Sequence, residues 1–132
     1  MMRFILKTWI MSLVIFKLMS PSVAFADEIW FTPFSWYDYA LETTFIGVTS
    51  MDWSQTQQIA THPLLYSEMN PILGSHPSLG AVNLYFPSAM ALHALVAYAL
   101  PKPWREVWQT MWIGVETYTV YTNATIGLRI KF

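Results

Sequence analysis

The chain has 132 residues, of which 55% are hydrophobic, 17% aromatic and only 11% charged, with a formal net charge of −1. That is the length of one domain with less than half the charged share of an ordinary soluble protein, which points towards lipid. There is no cysteine, so disulfides, thiolate metal sites and a cysteine nucleophile are excluded, and no basic stripe is present for nucleic acid.

Residues 1–26 read as an export signal. Arg3 and Lys7 form a basic start, Trp9 to Phe16 an apolar run, and Ala24-Phe25-Ala26 a small-x-small cleavage site before Asp27 and Glu28. Lys17 interrupts the apolar run, and an uncleaved anchor is the alternative. The remaining chain, 27–132, is expected to be a single helical membrane domain, with four basic and eight acidic residues and a balance of −4.

Residues 29–37 are rich in aromatic side chains (Trp30, Phe31, Phe34, Trp36, Tyr37), either a water–lipid boundary anchor or an arm packed on the body. From Asp38 to Ala60 the apolar spacing is helical, with Leu41, Phe45, Val48 and Ile59 close to one face and Asp52 and Thr56 four apart on another. This segment contains Glu42, and it either spans or lies partly in the interface with a polar end near Gln55, Gln57 and Gln58. His62-Pro63 ends it.

Asn70-Pro71 looks like a second helix start, closed by Gly74 and His76-Pro77, after which Ser78 can cap the next helix. Leu79 to Leu100 is the clearest span, 22 residues without Asp, Glu, Lys or Arg, with Asn83 and His93 as polar exceptions and Pro87 as a kink or the true start. Pro101-Lys102-Pro103 turns the chain into a third expected span, Trp104 to about Ile126, on which Trp104, Trp108 and Trp112 form a stripe and Glu116 and Asn123 share a face.

A competing pattern runs from Tyr118 to Phe132, where apolar and polar residues nearly alternate as in an outer-membrane β-strand. No earlier segment after residue 26 alternates in this way, and a lone strand cannot satisfy its backbone in lipid. The expected fold is therefore all-α, a small bundle of about three transmembrane helices in a bacterial inner membrane, with the outer membrane as the alternative. With a cleaved signal, the C-terminus lies inside beside Arg129 and Lys131, but Lys102 and Arg105 outside make the basic counts tie.

The polar residues allow three roles. The connector offers Asp52, Thr56, His62, Glu68, Asn70 and His76, and the spans offer His93, Glu116 and Asn123. A divalent metal would use the imidazoles and carboxylates, although their spacing matches no compact ligand motif and no cofactor is expected. A catalyst, such as a hydrolase, would use Asp52 or Glu68 as a base beside His76 and Glu116, but no hydrolase elbow, metalloprotease motif or phosphate loop accompanies them. The third role is structural: Asp52, Thr56 and Gln57 bond across to Glu116, Thr119 and Asn123 with His93 between, and Glu68 or Asp52 anchors the connector from Gln57 to Ser78.

Asp52-x-x-x-Thr56 on a first helix, then Glu68-x-Asn70-Pro71-Ile-Leu-Gly74, then two apolar spans, resembles a family of small uncharacterised bacterial integral membrane proteins. His76-Pro77-Ser78 and Trp104-Arg105-x-x-Trp108-Gln109 depart from that pattern. The resemblance implies a membrane protein and singles out Asp52, Thr56, Glu68 and Asn70, without implying a chemistry. The expected partners are the bilayer and a protein, in a larger assembly or as further copies of the chain. Mass spectrometry of the purified protein is expected to find a chain that starts at Asp27; an intact N-terminus would make residues 1–26 an anchor.

Overall fold

A computed structural model describes residues 30–132, so the export signal over 1–26 lies outside the described residues. Three helices follow one another: α1 (Trp36–Thr61), α2 (Leu79–Ala99) and α3 (Lys102–Thr125), and no strand forms among the described residues. The expected all-α class is found. Of the three expected spans, α2 alone among the described residues is long and apolar enough to cross a membrane, with mean hydropathy 1.4.

Local chemistry sets each boundary. Ser35 caps α1 in a reciprocal box: its hydroxyl accepts from the Asp38 N–H at 3.3 Å, and its own N–H donates to Asp38 Oδ2 at 2.7 Å. His62 closes α1 as expected, its N–H reaching the carbonyls of Gln58 and Ile59. Ser78 caps α2 by accepting from the Ala81 N–H at 3.1 Å. Pro87 lies inside α2 and does not mark its start. Only Leu100 and Pro101 separate α2 from α3, so those two helices must run antiparallel.

At the end of α3, Gly127 takes a positive φ of 96°, and the N–H groups of Gly127 and Leu128 return to the carbonyls of Ala124 and Asn123. This six-to-one, five-to-two pattern is a Schellman stop, and Leu128 buries its side chain behind it. The alternating stretch is therefore helix to Thr125 and an extended strap from residue 128 onwards. Two α1 side chains one turn apart hold the strap. Ser54 Oγ donates to the Lys131 carbonyl at 2.6 Å and accepts from its N–H at 2.7 Å, and the Gln58 amide pairs in the same way with the N–H and carbonyl of Arg129.

Packing is inside out. Buried positions on α1 include Asp38, Glu42, Phe45, Thr49, Asp52, Thr56 and Ile59, alternating steps of four and three, the repeat of a left-handed coiled-coil seam. In a soluble coiled coil those positions are apolar; here five of the seven are polar. On α3 the same repeat starts at Arg105 and Gln109, both fully buried. Ten polar residues are buried against eight apolar ones, two of them prolines, among the described residues, while Leu84, Leu92 and Leu95 of α2 face outward at 71%, 61% and 62% exposure.

Arg105 is the central cross-link. From the first turn of α3 its guanidinium donates to the carbonyls of Ala97 (2.8 Å), Leu100 (3.2 Å) and Thr32 (2.7 Å) and to Asp38 Oδ2 (3.2 Å). It thus closes the C-terminus of α2, pairs with the capping carboxylate of α1 and ties down the aromatic arm, with the Phe34 ring 4.9 Å away. Thr32 and Phe34 of the arm are therefore half-buried, while Trp30, Phe31, Pro33 and Trp36 stay exposed. Removing one partner of a buried pair strands the other, at about 3–5 kcal/mol. Arg105→Ala is expected to lower stability by about that much in detergent unfolding, and Asp38→Ala on top should recover part of it.

Candidate functional site

The bundle divides into two polar layers along the seam. In the first, Glu42 of α1 lies between α2 and α3. Its Oε1 accepts from His93 Nδ1 at 2.9 Å and its Oε2 from Gln109 Nε2 at 2.9 Å. The His93 ring is stacked between Phe45, 3.6 Å away by centroids, and Trp108, 5.4 Å away. Trp108 also donates its indole N–H to the His93 carbonyl at 3.3 Å and meets Trp112 edge-on. The tryptophan stripe is thus half-buried against α2 rather than freely displayed.

The second layer lies three turns further along α1 and holds the motif residues. Asp52 is buried, and its Oδ1 accepts from Asn123 Nδ2 of α3 at 2.8 Å. Glu116 of α3 and Glu68 of the connector both lie within electrostatic reach of Asp52. Asn70 of the connector also lies beside Tyr85 of α2, which is in the same field of carboxylates. Thr56 is buried one turn beyond Asp52. Residues from all three helices and the connector therefore meet here. No Lys or Arg pairs with them: among the described residues the one arginine–carboxylate pair is Arg105–Asp38, towards the other end of the bundle, and His93 meets Glu42 in the first layer.

The connector is built by its own motif. Glu68 Oε1 accepts from the N–H groups of Met69 and Asn70, each at 2.8 Å, and the Glu68 N–H donates to the Ser75 carbonyl at 2.9 Å. Asn70 Oδ1 accepts from the Ile72 N–H at 2.9 Å, and the Asn70 carbonyl accepts from the Gly74 N–H at 2.9 Å. Gly74 sits at φ 75°, which a side chain would strain. Asn70-Pro71 therefore starts a turn and not a second helix. An Asx turn meets the first free N–H with a side-chain oxygen, and the chain then reverses within four residues.

The structural anchoring expected for Glu68 and the Asp52–Asn123 bond are both present. Other expected contacts are replaced. Gln57 pairs with Asn83, which also receives the Trp53 indole N–H at 3.0 Å, while buried Gln55 crosses to the Val120 carbonyl. His93 does not sit between Asp52 and Glu116 but pairs with Glu42 in the other layer. His62 is spent on the α1 terminus, and His76 is exposed on the connector. Among the described residues, no three His, Asp or Glu side chains converge closely enough to hold a metal ion, so the metal set gathered from sequence is not brought together there.

The sequence assigns no site role to Asp38, Glu42, Arg105, Gln109, Ser54 or Gln58; the signal it does carry is the matched four-residue spacing, Asp38 to Glu42 on one helix and Arg105 to Gln109 on another. No family model, curated protein sequence or solved structure matches the chain.

Because the connector hangs on one carboxylate oxygen, Glu68→Ala is expected to speed amide exchange at Met69 and Asn70 by about tenfold, the loss of one charge-assisted bond. Glu68→Gln, which keeps an acceptor, should retain most of the protection, and helix content should not change in either variant.

Proposed function

We propose that this chain is a small integral membrane protein whose three helices cross the bilayer together, and that it serves as a structural or accessory partner in a larger membrane assembly. The reversed polarity of the bundle carries the reading. Large apolar side chains point outward while carboxylates, amides and a guanidinium are buried, an arrangement that water disfavours and lipid favours.

The lengths agree. α1, α2 and α3 have 26, 21 and 24 residues, about 39, 32 and 36 Å at 1.5 Å per residue, enough for a hydrocarbon core of about 30 Å. If α2 crosses, α1 and α3 packed beside it occupy the same slab. Their lower hydropathy comes partly from hydroxyls that need nothing from lipid. Thr43, Thr44, Ser50, Thr110 and Thr117 each donate to the carbonyl one turn earlier.

The charge tie also breaks. Arg105 is buried inside the bundle and is not part of a flanking loop, which leaves Lys102 against Arg129 and Lys131 and favours the connector and C-terminus on the cytoplasmic side. The Asp-x-x-x-Thr … Glu-x-Asn-Pro resemblance supports the same placement in a bacterial inner membrane after export by residues 1–26. The motif then acts as the structural lock of the cytoplasmic end, where Glu68 and Asn70 shape the connector and Asp52 joins α1 to α3.

The chain has no cysteine, so a single introduced one is a clean reporter. The protein is expected to stay in the pellet after alkaline carbonate washing. An impermeant maleimide should label Lys102→Cys in spheroplasts with intact inner membranes, and Met69→Cys only after permeabilisation. Release by carbonate would overturn the membrane reading, and the opposite labelling pattern would invert the topology.

A further inference from the structure

A cavity of about 280 Å³ opens at the connector end of the bundle, lined by Ser54, Gln57, Gln58, Thr61, Leu79 and Lys131. It lies between the last turns of α1, the first residue of α2 and the C-terminal strap. Its lining contains one ammonium group and no carboxylate. Lys131, and Arg129 two residues earlier on the strap, have no acidic partner within ion-pair distance among the described residues.

The position of these cations is built in. Ser54 and Gln58 grip the backbone of Lys131 and Arg129 through paired donor and acceptor contacts, so the strap is held as an edge against α1. Leu79, which also lines the cavity, is the first residue of α2, so its N–H lies outside the intrahelical ladder. Leu79 itself is 43% exposed, so the pocket has an apolar lip at the start of α2.

We propose that this cavity binds the headgroup of an anionic phospholipid, with its phosphate against Lys131 and Arg129 and its acyl chains laid along α2. An open pocket lined by more apolar than polar surface, with Lys131 and no carboxylate in its lining and Arg129 two residues away on the strap, suits a ligand that is anionic at one end and apolar along its body. The inference rests on the membrane reading above and deepens it. It places the cavity at headgroup depth on the cytoplasmic side, where anionic lipid attracts basic residues.

The test titrates soluble dihexanoyl-phosphatidylglycerol, below its micelle-forming concentration, into the full chain in nonionic detergent by calorimetry. Binding is expected at one lipid per chain. Arg129→Gln with Lys131→Gln should weaken it about 25-fold, from about fivefold per cation. Leu79→Trp, which fills the cavity, should abolish it with circular dichroism unchanged, and Lys102→Gln, at the far end, should leave it as it was. Equal affinity in the double and Leu79 variants would overturn the proposal. So would inorganic phosphate binding as tightly at the same residues, because the ligand would then be a free anion. A chain that resists carbonate yet binds no lipid overturns the site and leaves the membrane reading standing; a chain released by carbonate overturns both.

Discussion

The guanidinium of Arg105 is where the described chain is tied together. The link between α2 and α3 is so short that the C-terminal carbonyls of α2 and the first turn of α3 crowd one corner with no room for a glycine cap. A planar group with five donors resolves this, because it reaches several carbonyls of one helix end while presenting another edge to a carboxylate. That carboxylate, Asp38, is already fixed by the cap of α1. Helix start, helix end, interhelical turn and aromatic arm thus share one set of donors. Lysine, with a compact ammonium, would serve one or two of these acceptors and leave the rest buried and unpaired.

From that corner the parallel pairing of α1 and α3 follows. Asp38 meets Arg105, Glu42 meets Gln109 one turn along, and Asp52 meets Asn123 near the far end. Polar seams of this kind are poor sources of stability, since each cross-helix bond within lipid contributes only about 0.6 kcal/mol on average. They are good sources of register, because sliding one helix by a turn would break every rung and strand the buried groups. The seam is thus read as specification, and the apolar exterior as the part that answers to solvent. The proposed bilayer placement and the proposed lipid cavity both draw on this division: Arg129 and Lys131, which the seam does not absorb, lie at the connector end, on a strap that α1 holds in place.

Much of this organisation was legible along the chain. The all-α class, the ends of the helices at His62, Ser78 and Pro101, and the anchoring of the connector through Glu68 follow from local rules. Proline removes a donor, serine supplies an oxygen to an N–H three residues on, and a carboxylate followed by two free N–H groups captures them. These effects act within about four residues, so residue order alone encodes them. The contacts with Asn83, the pairing of His93 with Glu42 and the folding of the strap onto Ser54 and Gln58 were not legible. Each joins residues at least 26 apart in sequence, and several compatible partners existed for each.

The sequence by itself determined that the chain is helical, apolar and without thiol chemistry, and that a polar connector separates its first two helices. Only the tertiary structure decided which faces turn inward. Hydropathy averaged along a helix cannot distinguish an apolar residue that fills a core from one that meets solvent, and in this bundle the usual answer is reversed. The same averaging hid Arg105, which counts as one positive charge in the sequence but is buried among the carbonyls of three segments and paired with Asp38. Burial and pairing are properties of the neighbours a residue acquires when distant segments meet, and the chain specifies them only by folding.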